Sequence, residues 1–173
     1  MEEYSSQFEA GSTIKTDKSI VPLNSKSKEL VASWPEYQKF DEFVGQYQEI
    51  TMSDALLNST ELSEMARQLK DSIRIESLKI PSIKMRLNVL YSETMRLADM
   101  ATIPTITEAS VLQENNNVIQ AFSALNLKIN TINSMEKLNE EISSFVEEVA
   151  NEKATEEDSI PDPNSPPSPA PIE

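Results

Sequence analysis

The chain has 173 residues, with 15 Lys or Arg against 29 Asp or Glu, and its formal net charge at pH 7 is −14. It has two glycines and no cysteine or histidine, which argues against Gly-rich phosphate loops, thiol or imidazole catalysis, disulfides and Cys/His zinc sites. With a hydrophobic fraction of only 38%, the composition predicts an acidic all-α protein with a thin apolar seam, no cofactor, no metal and no enzymatic activity.

The N-terminal sequence and the charge predict a cytoplasmic or nuclear protein that is not secreted. Glu2 and Glu3 are followed by polar residues rather than by the apolar segment of a signal peptide, and no apolar run is long enough to be a transmembrane segment. The net negative charge repels nucleic-acid phosphates. We therefore expect the partners to be other helical protein subunits of a hetero-oligomer, with no direct nucleic-acid contact and no small-molecule substrate.

Both ends of the chain are predicted to be disordered. Residues 1–28 form a leader of mixed charge, rich in Ser, Thr and Lys, without a sustained apolar period. Residues 151–173 form an acidic tail with six prolines, a composition that favours extended polyproline II. Ser165 and Ser168 each precede a proline, so they are candidate phosphorylation sites for proline-directed kinases, and an unmodified solubilising tail is the alternative.

The first predicted element is a short amphipathic helix over residues 29–50. Pro35 follows Ser33 and Trp34, and proline is favoured in the first turn of a helix. Half of the ten aromatic residues of the chain fall on this helix, along one face. These predicted partner-binding residues are Trp34, Tyr37, Phe40, Phe43 and Tyr47. They either dock in a groove of a partner subunit or fold back and cap one end of the helical hairpin.

A long second helix is predicted over about residues 61–101, because seam positions there alternate at spacings of four and three. The seam is Leu62, Ala66, Leu69, Ile73, Glu76, Ile80, Ile83, Leu87, Leu90, Thr94, Leu97 and Ala101. A 3.5-residue period sustained this far is typical of a coiled coil. The heptad phase is the same on both sides of Pro81, which predicts a kink in one helix rather than the start of a new domain. The partner contacts predicted in this helix are Leu69, Ile73, Leu87 and Leu90.

A third helix is predicted over about residues 106–150. Thr105 and Glu108 have the spacing of a capping box. Its seam is Val111, Asn115, Val118, Phe122, Leu125, Ile129, Ile132, Met135, Leu138, Ile142, Phe145 and Val149. The spacing between Ile129 and Leu138 is typical of a stammer in a coiled coil. The partner contacts predicted in this helix are Phe122, Leu125 and Ile129.

The two long helices predict an elongated helical hairpin or coiled coil across residues 51–150. Each has about 40 residues and would span about 60 Å, and the loop around Pro104 favours an antiparallel arrangement. The first helix has seven basic residues and the second has two, a difference that favours pairing of the helices with each other or with partner helices. Four glutamates are predicted to form a solvated acidic face, which a basic partner could match. They are Glu140, Glu141, Glu147 and Glu148.

These features predict a non-enzymatic coiled-coil subunit, structural or adaptor, of an intracellular hetero-oligomeric complex that scaffolds its partners by forming helix bundles. In length, charge and heptad style the chain resembles the small helical subunits of kinetochore complexes and of complexes that position lysosomes and related organelles. The resemblance implies no residue roles. The alternative is a self-contained monomeric helical bundle that transiently regulates a protein partner.

Overall fold

The computed structural model describes residues 13–157, of which 156 and 157 by backbone alone, together with Asn164 and Pro171. The rest of the predicted leader and tail, including Ser165 and Ser168, lies outside the described residues. The elements in chain order are β1 (Thr13–Lys15), α1 (Ser25–Val31), α2 (Pro35–Gly45), β2 (Glu49–Thr51), α3 (Met52–Leu57), α4 (Ser59–Asp71), α5 (Pro81–Met100) and α6 (Glu108–Glu157). Short 3₁₀ turns span Gln46–Gln48 and Glu76–Leu78. The chain is mostly helical, in agreement with the predicted all-α class, but β1 and β2 add a two-stranded sheet that this class does not include.

The chain divides into two compact units, Met1–Asn133 and Ser134–Glu173. The first contains β1 to α5 and the first half of α6, while the second contains residues 134–157 of α6. Among the described residues, every buried side chain lies at or before Ile129. The first unit therefore contains the whole described hydrophobic core.

Residues 13–28 have a defined conformation, where the composition predicts disorder. β1 pairs with β2 in an antiparallel ladder, with Ile14 opposite Ile50. Ile14 and Leu23 are buried in the core, and Asn24 caps α1 by accepting a hydrogen bond from the Ser27 amide at 2.9 Å. A few apolar anchors and backbone partners are enough to order a segment whose overall composition is polar.

The predicted aromatic helix over residues 29–50 is divided into α1, α2, a 3₁₀ turn and β2. Pro35 begins α2, as its position in the sequence predicts, but the cap residue is Trp34 and it makes no side-chain capping bond. The helix ends at Gly45. The chain then turns into β2, because Glu49–Thr51 pairs with β1.

The predicted continuous helix over residues 61–101 is wrong, because α4 ends at Asp71 and α5 begins at Pro81. Proline has no backbone N–H and its ring blocks the preceding turn, but neither property matters at the first helical position. α4 and α5 then pack against each other. The heptad phase is the same on both sides of Pro81, and the seam residues Leu69 of α4 and Leu87 of α5 are both buried in the core.

The third predicted helix exists and is longer than predicted. Thr107, rather than Thr105, caps α6, since its hydroxyl oxygen accepts a hydrogen bond from the Ser110 amide at 3.2 Å. The helix continues to Glu157, seven residues into the predicted tail. Its glycine-free sequence presents no proline before residue 161, so nothing in the backbone chemistry ends it earlier.

Candidate functional site

The aromatic side chains of α2 and of the residues on either side of it pack inside this chain. Trp34, Tyr37, Phe40 and Tyr47 are at most 3% exposed, and Phe43 is half-buried. The Phe40 ring meets the Phe122 ring edge-on, with centroids 5.2 Å apart. The structure therefore has the aromatic face folded back onto this chain, where the Tyr37 and Phe40 rings contact Phe122 of α6 rather than cap the end of a hairpin.

Each polar atom of these aromatics has an internal partner. The Trp34 indole donates to the Ser72 hydroxyl at 2.9 Å, and the Tyr47 hydroxyl donates to the Ala55 carbonyl at 3.1 Å. The Tyr37 hydroxyl donates to the Asn126 side-chain oxygen at 2.6 Å. Burial, with the nearby Asp41 carboxylate, raises the pKa of Tyr37 well above its usual value, so this hydroxyl remains a donor.

The other predicted partner contacts lie in the same core. Leu69, Leu87, Leu90, Phe122, Leu125 and Ile129 are buried, and Ile73 is half-buried against them. In this conformation residues of the same chain cover these side chains. A partner that used them would have to open the core.

A different set of apolar side chains is exposed, in the second half of α6. We call Met135, Leu138, Ile142, Phe145 and Val149 the α6 stripe. The first four are 51–65% exposed, and Val149 is half-buried. Their spacing alternates three and four, so they form one narrow face of the helix. Sequence reasoning placed them in the third seam but did not select them as partner contacts, because the seam alone does not show which part of it the chain covers.

Acidic side chains flank the α6 stripe. Glu141 and Glu148 are exposed and lie one position before Ile142 and Val149, beside the apolar face. Glu141 forms an ion pair within the helix with Lys137, with 3.5 Å between Nζ and Oε1. Such exposed pairs contribute at most about 1 kcal/mol, so the carboxylates remain available to other cations.

Amide and hydroxyl side chains on the first half of α6 bind the extended backbone that precedes α1. We call this set the amide ladder, and its members are Asn116, Ser123, Asn126 and Asn130. Asn116 accepts from the Asp17 amide at 2.9 Å, and Asn126 donates to the Val21 carbonyl at 2.8 Å. Asn130 accepts from the Asn24 amide at 2.9 Å. The ladder contacts mostly backbone atoms and therefore fixes the path of this segment with little dependence on its side chains.

Two carboxyl groups meet at the contact between α5 and α6. Glu114 is 4% exposed, and burial, followed by the hydrogen bond and charge repulsion from Glu93, raises its pKa to about 7. Asn117 donates to Glu114 at 3.2 Å, and Arg96 lies 3.7 Å from Glu93. Glu114 therefore holds its proton to higher pH than an exposed glutamate, and no third acidic side chain joins the two, since the described residues contain no group of three that could hold a metal ion.

The part of the chain that the structure describes contains no helix both long and apolar enough to cross a membrane. No protein-family model matches the chain, and no curated protein or solved structure has significant similarity to it. Among the described residues, the exposed α6 stripe with its acidic flanks has the clearest chemistry for binding.

Proposed function

We propose that the protein is a non-enzymatic adaptor subunit of a hetero-oligomeric protein assembly, and that it joins its partner through the α6 stripe. The observation that carries the proposal is the exposure of Met135, Leu138, Ile142 and Phe145, each more than half accessible on one face of a helix. Monomeric proteins rarely expose contiguous apolar surface unless it binds something.

The spacing of the stripe supports a helical partner. Apolar residues every 3.5 positions fit a second helix wound around the first, because each side chain then enters a hole between four residues of the facing helix. Fully burying one side chain of this kind contributes about 1.5–3 kcal/mol. Five such side chains are enough to hold a coiled coil of about two heptads, provided that a compact unit keeps one end of the helix formed.

For the class of assembly we propose an intracellular complex of the kinetochore or lysosome-positioning type. The support is the resemblance in length, charge and heptad style. The chain has neither histidine nor cysteine, and of the Glu93–Glu114 pair Glu114 is buried and Glu93 is half-buried. Both features support a binding role over an enzymatic one.

A second candidate function is a monomeric module that binds a protein partner transiently. The observation that favours it is the internal aromatic core, in which Trp34, Tyr37 and Phe40 are covered by this chain alone. The two candidates differ in the lifetime of the complex rather than in the surface used. Stoichiometric co-purification distinguishes them.

The test compares the full chain with two double variants purified by affinity from the native cell type. Ile142→Gln with Phe145→Gln makes the stripe polar, and the matched control, Ser143→Gln with Ser144→Gln, alters neighbouring exposed positions of the same helix. We expect quantitative mass spectrometry to find the same stoichiometric partner with the parent and the control and to lose it with the stripe variant. Equal recovery with all three chains would contradict the proposal.

A further inference from the structure

The α6 stripe has the residue pattern of one strand in a two-stranded coiled coil. Met135, Ile142 and Val149 occupy the a positions of a heptad, and Leu138 and Phe145 occupy the d positions. β-Branched residues at a with Leu at d favour two-stranded pairing, and Ile142, Val149 and Leu138 follow this rule whereas Met135 and Phe145 do not. The stripe therefore fits one partner helix rather than a larger bundle.

The positions that flank this seam are acidic. Glu141 and Glu148 occupy successive g positions and are exposed, whereas the e positions hold Asn139, Val146 and Lys153. In a coiled coil the g and e residues of the two helices face each other across the seam and select the partner. Both flanking glutamates would face the corresponding positions of whatever helix binds here.

The charge of the whole segment has the same sign. Residues 134–157 contain eight acidic and two basic residues, and Lys137 is paired with Glu141 within the helix. A partner helix within the Debye length of about 8 Å experiences this charge directly. Cationic partners are attracted and anionic partners are repelled.

A second copy of this chain would provide a basic partner for only part of the charge of the two flanking glutamates. In a parallel pair Glu148 would face the second copy's Lys153, but Glu141 would face an uncharged valine. In an antiparallel pair the g positions face each other, so glutamate would meet glutamate. Either pairing also brings two strongly acidic segments together, which costs free energy through like-charge repulsion.

Taking the proposed function as its basis, we infer that the partner of the α6 stripe is an amphipathic helix with apolar a and d positions and with Lys or Arg at its e and g positions. The apolar seam provides the affinity, and the two g glutamates select the basic partner. The occupant is thus a separate basic helical segment rather than another copy of this chain.

The test uses the full chain and synthetic peptides of about four heptads. One peptide has Ile at a, Leu at d and Lys at every e and g position, and the second has Glu at every e and g position. Because the e and g positions of each peptide carry the same residue, the peptide presents the same flanking charge in a parallel and in an antiparallel pair. We expect calorimetry at about 0.15 M salt to show binding of the Lys peptide at least about 10-fold tighter than binding of the Glu peptide.

Reversing the charge of two glutamates on the chain distinguishes pairing across the seam from a general electrostatic attraction to the acidic segment. Glu141→Lys with Glu148→Lys changes the two g positions and should reverse the preference, so that the Glu peptide binds more tightly. The matched control, Glu140→Lys with Glu147→Lys, makes the same change in net charge at f positions on the outer face. We expect the control to retain the preference for the Lys peptide.

Several outcomes overturn the inference. Equal affinity for both peptides, the same reversal in the f-position control, or no binding by either peptide would each do so. Self-association of the chain that Ile142→Gln with Phe145→Gln abolishes would identify a second copy as the occupant instead. The proposed function is judged separately, because it fails only if that stripe variant retains its cellular partners.

Discussion

Phe40 and Phe145 show how one residue type has two roles in the same chain. The Phe40 ring is fully buried and packs on Phe122 with centroids 5.2 Å apart, whereas Phe145 is 65% exposed. Both lie on an apolar helical face in the sequence. The difference arises because the chain supplies a covering layer for α2 and none, among its described residues, for the second half of α6.

Replacing Phe40 by Ala should lower the free energy of unfolding by about 3–5 kcal/mol, because the change leaves a cavity in a close-packed core. Phe145→Ala is the matched control, and its effect should stay within about 0.5 kcal/mol. Urea denaturation followed by circular dichroism measures both. A large loss for Phe145→Ala would show that the stripe is already covered in solution.

Glu114 couples stability to pH. Its pKa rises from 4.5 to about 7 in the folded chain, so between these values the folded state binds more protons than the unfolded state. The free energy of unfolding therefore falls as pH rises through this interval, by up to about 3 kcal/mol, and this contribution is absent above it. Below pH 4.5 the contribution is fully present.

Glu114→Gln should remove this pH dependence, because an amide stays neutral and can donate to the Glu93 carboxylate. Unfolding free energies of the parent and the variant, measured across the interval, should diverge as pH rises, with the variant the more stable near pH 8. Glu136→Gln, which removes an exposed carboxylate from the same helix, is the control and should retain the slope of the parent. An unchanged slope in Glu114→Gln would rule out the raised pKa of Glu114 as its source.

At the scale of the elements, Pro81 determines where one helix ends and another begins. It is the first residue of α5, preceded by Ile80 with extended backbone angles, φ −113° and ψ 153°. The sequence could not show this, since a kinked helix and two helices with the same facing residues have identical heptad phase. Contact between α4 and α5 decides between them.

Pro81→Ala should change the free energy of unfolding by no more than about 1 kcal/mol and should not raise the helix content seen by far-UV circular dichroism. Proline at the first helical position is already well accommodated. In the interior of one continuous helix it would cost about 3 kcal/mol. A stabilisation of that size on substitution would restore the kinked-helix interpretation.

The amide ladder accounts for the order of residues 17–24. Asn116→Ala together with Asn130→Ala removes hydrogen bonds to the Asp17 and Asn24 amides. We expect the backbone amides of Asp17 and Asn24 to exchange hydrogen about 2- to 10-fold faster, since one hydrogen bond contributes about 0.5–1.5 kcal/mol. Asn88→Ala, at an exposed position of α5, should leave both rates unchanged, and equal rates in all chains would show that the ladder does not order this segment.

At the scale of the whole molecule, the two compact units should differ in what they contribute to stability. All described buried side chains lie at or before Ile129. A chain that ends at Asn133 should therefore melt within about 4 °C of the full chain, which corresponds to less than about 1 kcal/mol. Scanning calorimetry measures this, and a much lower melting temperature would show that residues after 133 support the core.

The sequence alone identified much of the helical content and the apolar positions. Pro35 at the start of α2 and the apolar residues of α6 up to Ile129 follow from local rules, because a helical period and a fixed proline φ act within a few residues. The continuous helix over 61–101 and the disorder of residues 13–28 do not hold. The observed break between α4 and α5 and the observed order of residues 13–28 depend on contacts between residues far apart in the chain, such as that of Asn116 with Asp17.

Composition and periodicity are properties of the sequence itself. They are enough to show that this chain is acidic, rich in helix and patterned in heptads. Tertiary structure decided which heptads are covered. The aromatic face of α2 and the first half of α6 bury each other, as the contact of Phe40 with Phe122 shows, while Leu138, Ile142 and Phe145 stay exposed. The physical reason is that hydrophobic burial depends on the surface available to pack against, and only the folded chain determines where that surface lies.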